Sequence, residues 1–186
     1  MQATMQITQA NMAALAEREV RPGLEQAFLE HKDRVFRAAY RITGNAGDAE
    51  DVLQTVFLRL VRQENLSEVS NLAAYLHRSA VNASLDLLRR RRDARTSSLD
   101  DQENPIEVVS ANTAGPSTEI RDWLRQALGR LNPRWAEMFV LRFIEDYSNG
   151  EIAGMMNTSP AVVAVLLHRT RAQLKRDFKK QARGRR

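Results

Sequence analysis

Two sets of cationic side chains stand out in this sequence. Arg89, Arg90, Arg91 and Arg92 form one run, and Arg169, Arg171, Lys175 and Arg176 are spaced along a later stretch. Guanidinium and ammonium groups in such density suit one chemistry above others, the binding of phosphate oxygens. The second set closes EIAGMMNTSPAVVAVLLHRTRAQLKR, residues 151–176, which has the pattern of two helices joined by a tight turn. That is the outline of a DNA-reading helix-turn-helix. Its second helix nevertheless opens with Ala161, Val162, Val163, Ala164, Val165, Leu166 and Leu167, where a base-reading helix is expected to carry polar side chains.

Catalytic chemistry finds no comparable constellation. His31, His77 and His168 lie far apart and lack metal-ligand spacing. The chain has no cysteine, which excludes disulfides and thiolate sites and fits a reducing cytoplasm. Nucleophile-elbow, P-loop and dinucleotide patterns are absent. Asp48, Glu50 and Asp51 do not converge when placed on a helix, and they suit the positive end of a helix better than a metal. An enzyme is not expected, and neither is a cofactor or a metal. No apolar run approaches the ~20 residues that span a bilayer, so membrane insertion is not expected either.

The elements that must carry the cations are helical. Hydrophobic residues make up 43% and charged residues 27%, which favours a folded protein, and the scarcity of glycine and proline favours an all-α one. Leu24, Phe28, Val35, Ala39 and Ile42 recur at helical spacing. TGNAGDAED interrupts them, and Asp48 is a plausible N-cap for a second helix through Val52, Val56, Phe57 and Leu60. A third helix takes Leu72, Leu76, Ala80, Ala83, Leu87 and Leu88 as its stripe and ends at the four arginines. Later, Asn132–Pro133 and Ser148–Glu151 have the form of helix starts, and Ser159–Pro160 opens the last helix.

The expected organisation is therefore a tail (1–21), a first helical domain (22–92), a flexible linker (93–118) and a second helical domain (119–186). Charge follows these divisions. Residues 1–92 carry 13 basic and 11 acidic groups, net +2; residues 93–118 carry 1 and 5, net −4; residues 119–186 carry 14 and 7, net +7.

The order of motifs resembles the extracytoplasmic-function group of bacterial sigma factors. YRITGNAGDAEDVLQTVFLRLV resembles the family's region 2.1–2.2, and AAYLHRSAVNASLDLLRRRR its regions 2.3–2.4. LRQALGRLNPRWAEMFVLRFIEDYSNGEIAGMM resembles region 4.1 and the first helix of the −35 reader, and SPAVVAVLLHRTRAQLKR its recognition helix. The resemblance implies a region 2 bundle and a region 4 helix-turn-helix that bind core RNA polymerase and direct promoter-specific initiation. It implies promoter DNA, an anti-sigma factor and the clamp helices of the largest polymerase subunit as partners, in the cytoplasm. Asp48, Asp51, Gln54 and Phe57 are then the polymerase-docking residues. Glu64, Asn65, Asn71, Tyr75, Arg78, Asn82, Arg89 and Arg90 are the −10 contacts, with Asp86 bracing the arginines. Many family members carry a phenylalanine and a tryptophan in the −10 loop; here only Tyr75 stands nearby, and base stacking there is correspondingly reduced. The −35 contacts are Ser159, Pro160, Ala161, Ala164, Val165, His168, Arg169, Arg171 and Lys175.

At 100° per residue, Val163, Leu167, Thr170, Leu174 and Phe178 share the buried side of the last helix, and Val165 faces outward. Three readings of that outward face follow, in this order: entry into the major groove with contact to thymine methyls, packing on another protein such as an anti-sigma factor, or loss of DNA reading with only a protein contact left. The rival functions are an independent helix-turn-helix regulator and a sigma-like protein-interaction adaptor.

Overall fold

The computed structural model describes residues 24–62, 71–100 and 116–184. Among these the chain forms seven helices: α1 (Leu24–Thr43), α2 (Ala46–Arg62), α3 (Leu72–Asp100), α4 (Pro116–Arg130), α5 (Pro133–Phe143), α6 (Asn149–Met155) and α7 (Pro160–Gly184). There is no strand among the described residues, and the fold is all-α as expected.

The first group of helices is a three-helix bundle. Val35, Ala38 and Ala39 of α1 meet Val52, Val56 and Leu60 of α2 and Leu76 and Ala80 of α3 in one buried cluster. The turn between α1 and α2 depends on two residues. Gly44 adopts φ 70°, the left-handed region that glycine occupies without strain. Asn45 then caps α2, its side-chain oxygen accepting from the Asp48 backbone N–H at 3.1 Å. The cap thus lies three residues before the expected Asp48. Asp48 has moved inside the first turn, where its buried side chain faces Arg91.

The second group contains the helix-turn-helix. Asn132 caps α5 with Pro133 at the first helical position, and Ser148 and Glu151 form the expected capping box at α6. Asn157, at φ 48°, ends α6, and the Thr158 N–H returns to the Ala153 carbonyl. Ser159 then caps α7, accepting from the Val162 N–H at 3.3 Å. Val163, Leu167, Thr170 and Leu174 are buried as the periodicity requires. Phe178, expected in the same stripe, is partly exposed and stands edge-on to Trp123 at 4.9 Å. Phe143, expected in the local core, is also partly exposed, with the Arg171 guanidinium 5.5 Å from its ring centroid.

The two groups share α3. This helix does not stop at the arginines but continues to Asp100. One side, Leu76, Ala80 and Ala83, serves the bundle. Another side, Val81, Leu85 and Leu88, joins Ile42 in a single cluster with Leu128, Met138, Leu141 and Ile152 from the second group. Each such aliphatic side chain contributes about 1.5–3 kcal/mol when fully buried. The backbones approach closely where Gly129 of α4 lies over α3: a Cβ there would stand 3.2 Å from the Leu88 carbonyl oxygen.

Gly44→Ala should cost about 1–2 kcal/mol in urea denaturation, because the left-handed conformation penalises a Cβ. Arg125 must also shift, since its guanidinium occupies the space of that Cβ. A variant as stable as the parent would contradict this account of the turn.

Candidate nucleic-acid interface

The outward face of α7 is assembled as the sequence predicts. Ser159, Pro160, Ala161, Ala164, Val165, His168, Arg169, Arg171 and Lys175 are all exposed. The buried stripe fixes the helix against α5 and α6, so these side chains project together from a rigid support. No ion pair among the described residues engages Arg169, Arg171 or Lys175, which leaves their charges available to phosphate. Val162 and Val165 are 44% and 50% exposed, so the apolar start of the helix is a surface feature and not hidden core. Leu166 is partly buried.

Across the bundle, α2 presents Asp51, Gln54, Leu58 and Val61 along one exposed stripe. The repeat of three, four and three residues places them on one helix face. A shallow groove beside this stripe is lined by Asp51, Gln54 and Leu58 of α2 and by Leu87 and Arg90 of α3. Leu58 and Val61 were not singled out in the sequence, though they continue the Asp51–Gln54 spacing. Asp48 lines the same groove from its wall, and Phe57 lies behind the stripe. Asp48 is buried against Arg91, and burial pushes its carboxyl above the ordinary value, with the Arg91 guanidinium opposing that shift. Phe57 is 8% exposed and packs edge-on against Phe28 at 4.9 Å, because its spacing from Val52, Val56 and Leu60 turns it toward the bundle.

The expected −10 residues divide into several environments. Glu64 and Asn65 lie outside the described residues. Asn71 caps α3, its side-chain oxygen accepting from the Ala74 N–H at 2.9 Å, while Tyr75 is half-buried against the bundle. Arg90 is exposed. Arg89 is turned inward: Asp86 holds one end of its guanidinium at 2.7 Å, as expected of that aspartate, and Nε and Nη2 are buried. Arg78 and Asn82 both face the second group of helices. Glu137 Oε1 accepts from Arg78 Nε at 2.5 Å and from Asn82 Nδ2 at 3.1 Å, and Arg78 Nη1 donates to the Met155 carbonyl at 2.7 Å.

A second acidic contact lies beside the first. The Glu145 carboxylate, after the end of α5, accepts from Arg41 Nε at 2.9 Å and lies 3.1 Å from His77 Nε2. Burial pushes the Glu145 carboxyl up, but His77 and Arg41 together outweigh burial and hold it below its ordinary value. Among the described residues, no group of three or more His, Cys, Asp or Glu has the geometry to hold a metal ion. Among the described residues, no single helix is long and apolar enough to cross a membrane.

A three-helix bundle joined to a helix-turn-helix with a basic outward face defines a nucleic-acid-binding protein. Comparison with known proteins makes the class specific. Residues 27–94 match the model of Sigma-70 region 2, and residues 121–174 match that of Sigma-70, region 4. The chain is 32% identical over 167 residues to the ECF RNA polymerase sigma factor SigE of Mycolicibacterium smegmatis, covering 89% of this chain and 65% of that one. It is 32% identical over 148 residues to the RNA polymerase sigma factor CarQ of Myxococcus xanthus, covering 78% and 83%. The sigma factor RpoE of Bartonella quintana, solved with the anti-sigma factor NepR, is similar at a TM-score of 0.49 and 19% identity, over 83% of this chain and 96% of that one. The chain belongs to the sigma-70 family of RNA polymerase sigma factors, in its extracytoplasmic-function group.

Two measurements test the interface. Replacing Arg171 and Lys175 together by alanine should weaken duplex-DNA binding and reduce its log–log salt slope by about 2, one counterion per lost phosphate contact. An unchanged slope would remove both side chains from the phosphate track. The depressed Glu145 carboxyl contributes stability that is complete above the unfolded value of about 4.3 and is lost as pH falls through the lower folded value. Glu145→Gln should therefore be less stable than the parent at neutral pH, and the difference should shrink in acid. A pH-independent difference would show that the charge of Glu145 is immaterial.

Proposed function

We propose that this chain binds core RNA polymerase through α2 and directs it to promoters, reading the −10 region with the bundle and the −35 region with α7. The observation that carries this reading is the separation of surfaces on one chain. The Asp51–Gln54–Leu58–Val61 stripe supplies a mixed polar and apolar docking face, while all nine expected −35 residues project from α7. Family membership supports the same assignment. The site residues follow from it: Asp51 and Gln54 for polymerase, Arg78, Asn82 and Arg90 for the −10 strand, and Arg169, Arg171 and Lys175 for −35 phosphates. The clamp helices of the largest subunit, promoter DNA and an anti-sigma factor are the partners, and the cytoplasm is the compartment.

The α7 geometry supports a division of labour. Ala161, Ala164 and Val165 offer no side-chain hydrogen bond, and bidentate base contacts worth about 1–3 kcal/mol each are absent from the helix start. The outward methyl groups suit thymine methyls, and the cations fix the helix on the backbone. The exposed Val162 and Val165 also favour a second reading, an adaptor that uses this face for protein.

Transcription with purified core polymerase and a pool of genomic fragments decides between them. Initiation at discrete sites is expected. Core binding without initiation would establish the adaptor, and DNA binding with no polymerase contact would establish an independent regulator. Replacing Asp51, Gln54 and Leu58 by alanine should lower core affinity by about tenfold or more, as loss of an anchoring contact does. Unchanged core affinity would move the docking face elsewhere.

A further inference from the structure

We infer that Phe143 is a positioning residue for duplex binding: its exposed ring holds the Arg171 guanidinium where it meets a phosphate, without consuming the charge or the donors that the phosphate needs. The inference rests on the proposed role of Arg171 at the −35 backbone and names what prepares that side chain for it.

Phe143, the last residue of α5, stands apart from the core of its helix. It is 43% exposed, while Phe139, one turn earlier, is 9% exposed. The two ring centroids lie 4.8 Å apart, so the buried ring supports the exposed one. The outer ring then meets two cations. The Arg171 guanidinium, from α7, lies 5.5 Å from its centroid, and that of Arg142 lies 6.0 Å away. Arg142 has a second tether, because its Nη1 donates to the Tyr147 carbonyl at 3.3 Å. Arg171 enters no ion pair among the described residues.

The contrast with other arginines of this chain is chemical. Arg41, Arg78, Arg89 and Arg91 are each held by a carboxylate. A carboxylate fixes the side chain, but it offsets the charge and takes up N–H donors. An arginine held in that way is poorly matched to a phosphate. An aromatic ring instead attracts the cation through its quadrupole, and it has no oxygen to occupy the donors. Arg171 is thus held and still fully cationic. Holding matters because a long side chain samples many rotamers. Affinity falls with the fraction of time spent in the competent one.

Anisotropy of a short fluorescein-labelled DNA duplex of mixed sequence, titrated with the full chain at several potassium chloride concentrations, tests this role. Phe143→Leu and Phe143→Met remove the ring but keep an apolar side chain over Phe139. Circular dichroism checks that both stay helical. Each should weaken duplex binding by about two- to fivefold, the factor that corresponds to a cation–π contact at an exposed site. The log–log salt slope should stay near the parental one, since the phosphate contact is still made. Arg171→Ala should instead lower that slope by about 1. Phe143→Tyr and Phe143→Trp keep a ring and should bind as the parent does. In an Arg171→Ala background, Phe143→Leu should have no further effect.

Parental affinity in both ring-free variants would overturn the inference. So would an equal loss in Phe143→Tyr and Phe143→Trp, or a loss by Phe143→Leu that persists without Arg171, because the ring would then act through packing alone. Failure of the functional reading looks different. Parental affinity and slope in Arg171→Ala would remove the phosphate role of Arg171, and its positioning by Phe143 would fall with it. Coupling between Phe143 and Arg171 that holds while core polymerase and genomic fragments yield no initiation would remove promoter direction and leave the positioning role standing.

Discussion

One helix with two buried faces organises this molecule. A surface helix normally hides a single stripe and leaves the rest to water. Helix α3 hides Leu76, Ala80 and Ala83 against the bundle and Val81, Leu85 and Leu88 against the second half. The first stripe makes the bundle a folded unit. The second is satisfied only if another apolar surface covers it. Because Ile42 of α1 joins that second cluster, the covering helices also bear on the rest of the bundle. Relative placement of the two halves thus follows the hydrophobic patterning along one element.

Charge refines what apolar area begins. Hydrophobic burial is non-directional and does not fix a register. Glu137 on Arg78 and Asn82, and Glu145 on Arg41 and His77, are directional and buried, so a small rotation of one half over the other would strand a carboxylate. The same feature makes the contact separable. Arg41 and Arg78 are about half and two-fifths exposed at their side chains, so water reaches them readily once the carboxylates leave.

The fold class, the helix starts at Asn132, Ser148 and Ser159, and the buried side of α7 were legible because each rests on local spacing or local capping chemistry. Asp48 is not the cap because Asn45, three residues earlier, takes it, directly after the turn that Gly44 sets. The end of α3 was misplaced because four cations look like a terminus, whereas the helix continues through them. The second stripe of α3, Val81, Leu85 and Leu88, overlaps the expected one only at Leu88, because two apolar faces on one helix blur a single period. The pairing of Arg78 with Glu137, 59 positions away, had no local signal. Motif spacing does not reveal exposure: Asp51 and Gln54 are exposed, Asp48 is buried at the wall of their groove, and Phe57 and Arg89 are turned into the protein.

These observations bear on where sequence selectivity resides. An α7 that grips phosphates, as proposed, and carries few base-reading donors would gain affinity without much discrimination, since phosphate contacts are common to every sequence. Under the proposed assignment, selectivity then shifts toward the −10 strand, where Asn82 can pair with a base edge. In the structure that side chain donates to Glu137 at 3.1 Å. Under the same assignment the apolar start of α7 need not choose the promoter; it positions the chain, and base-specific capture falls to the bundle.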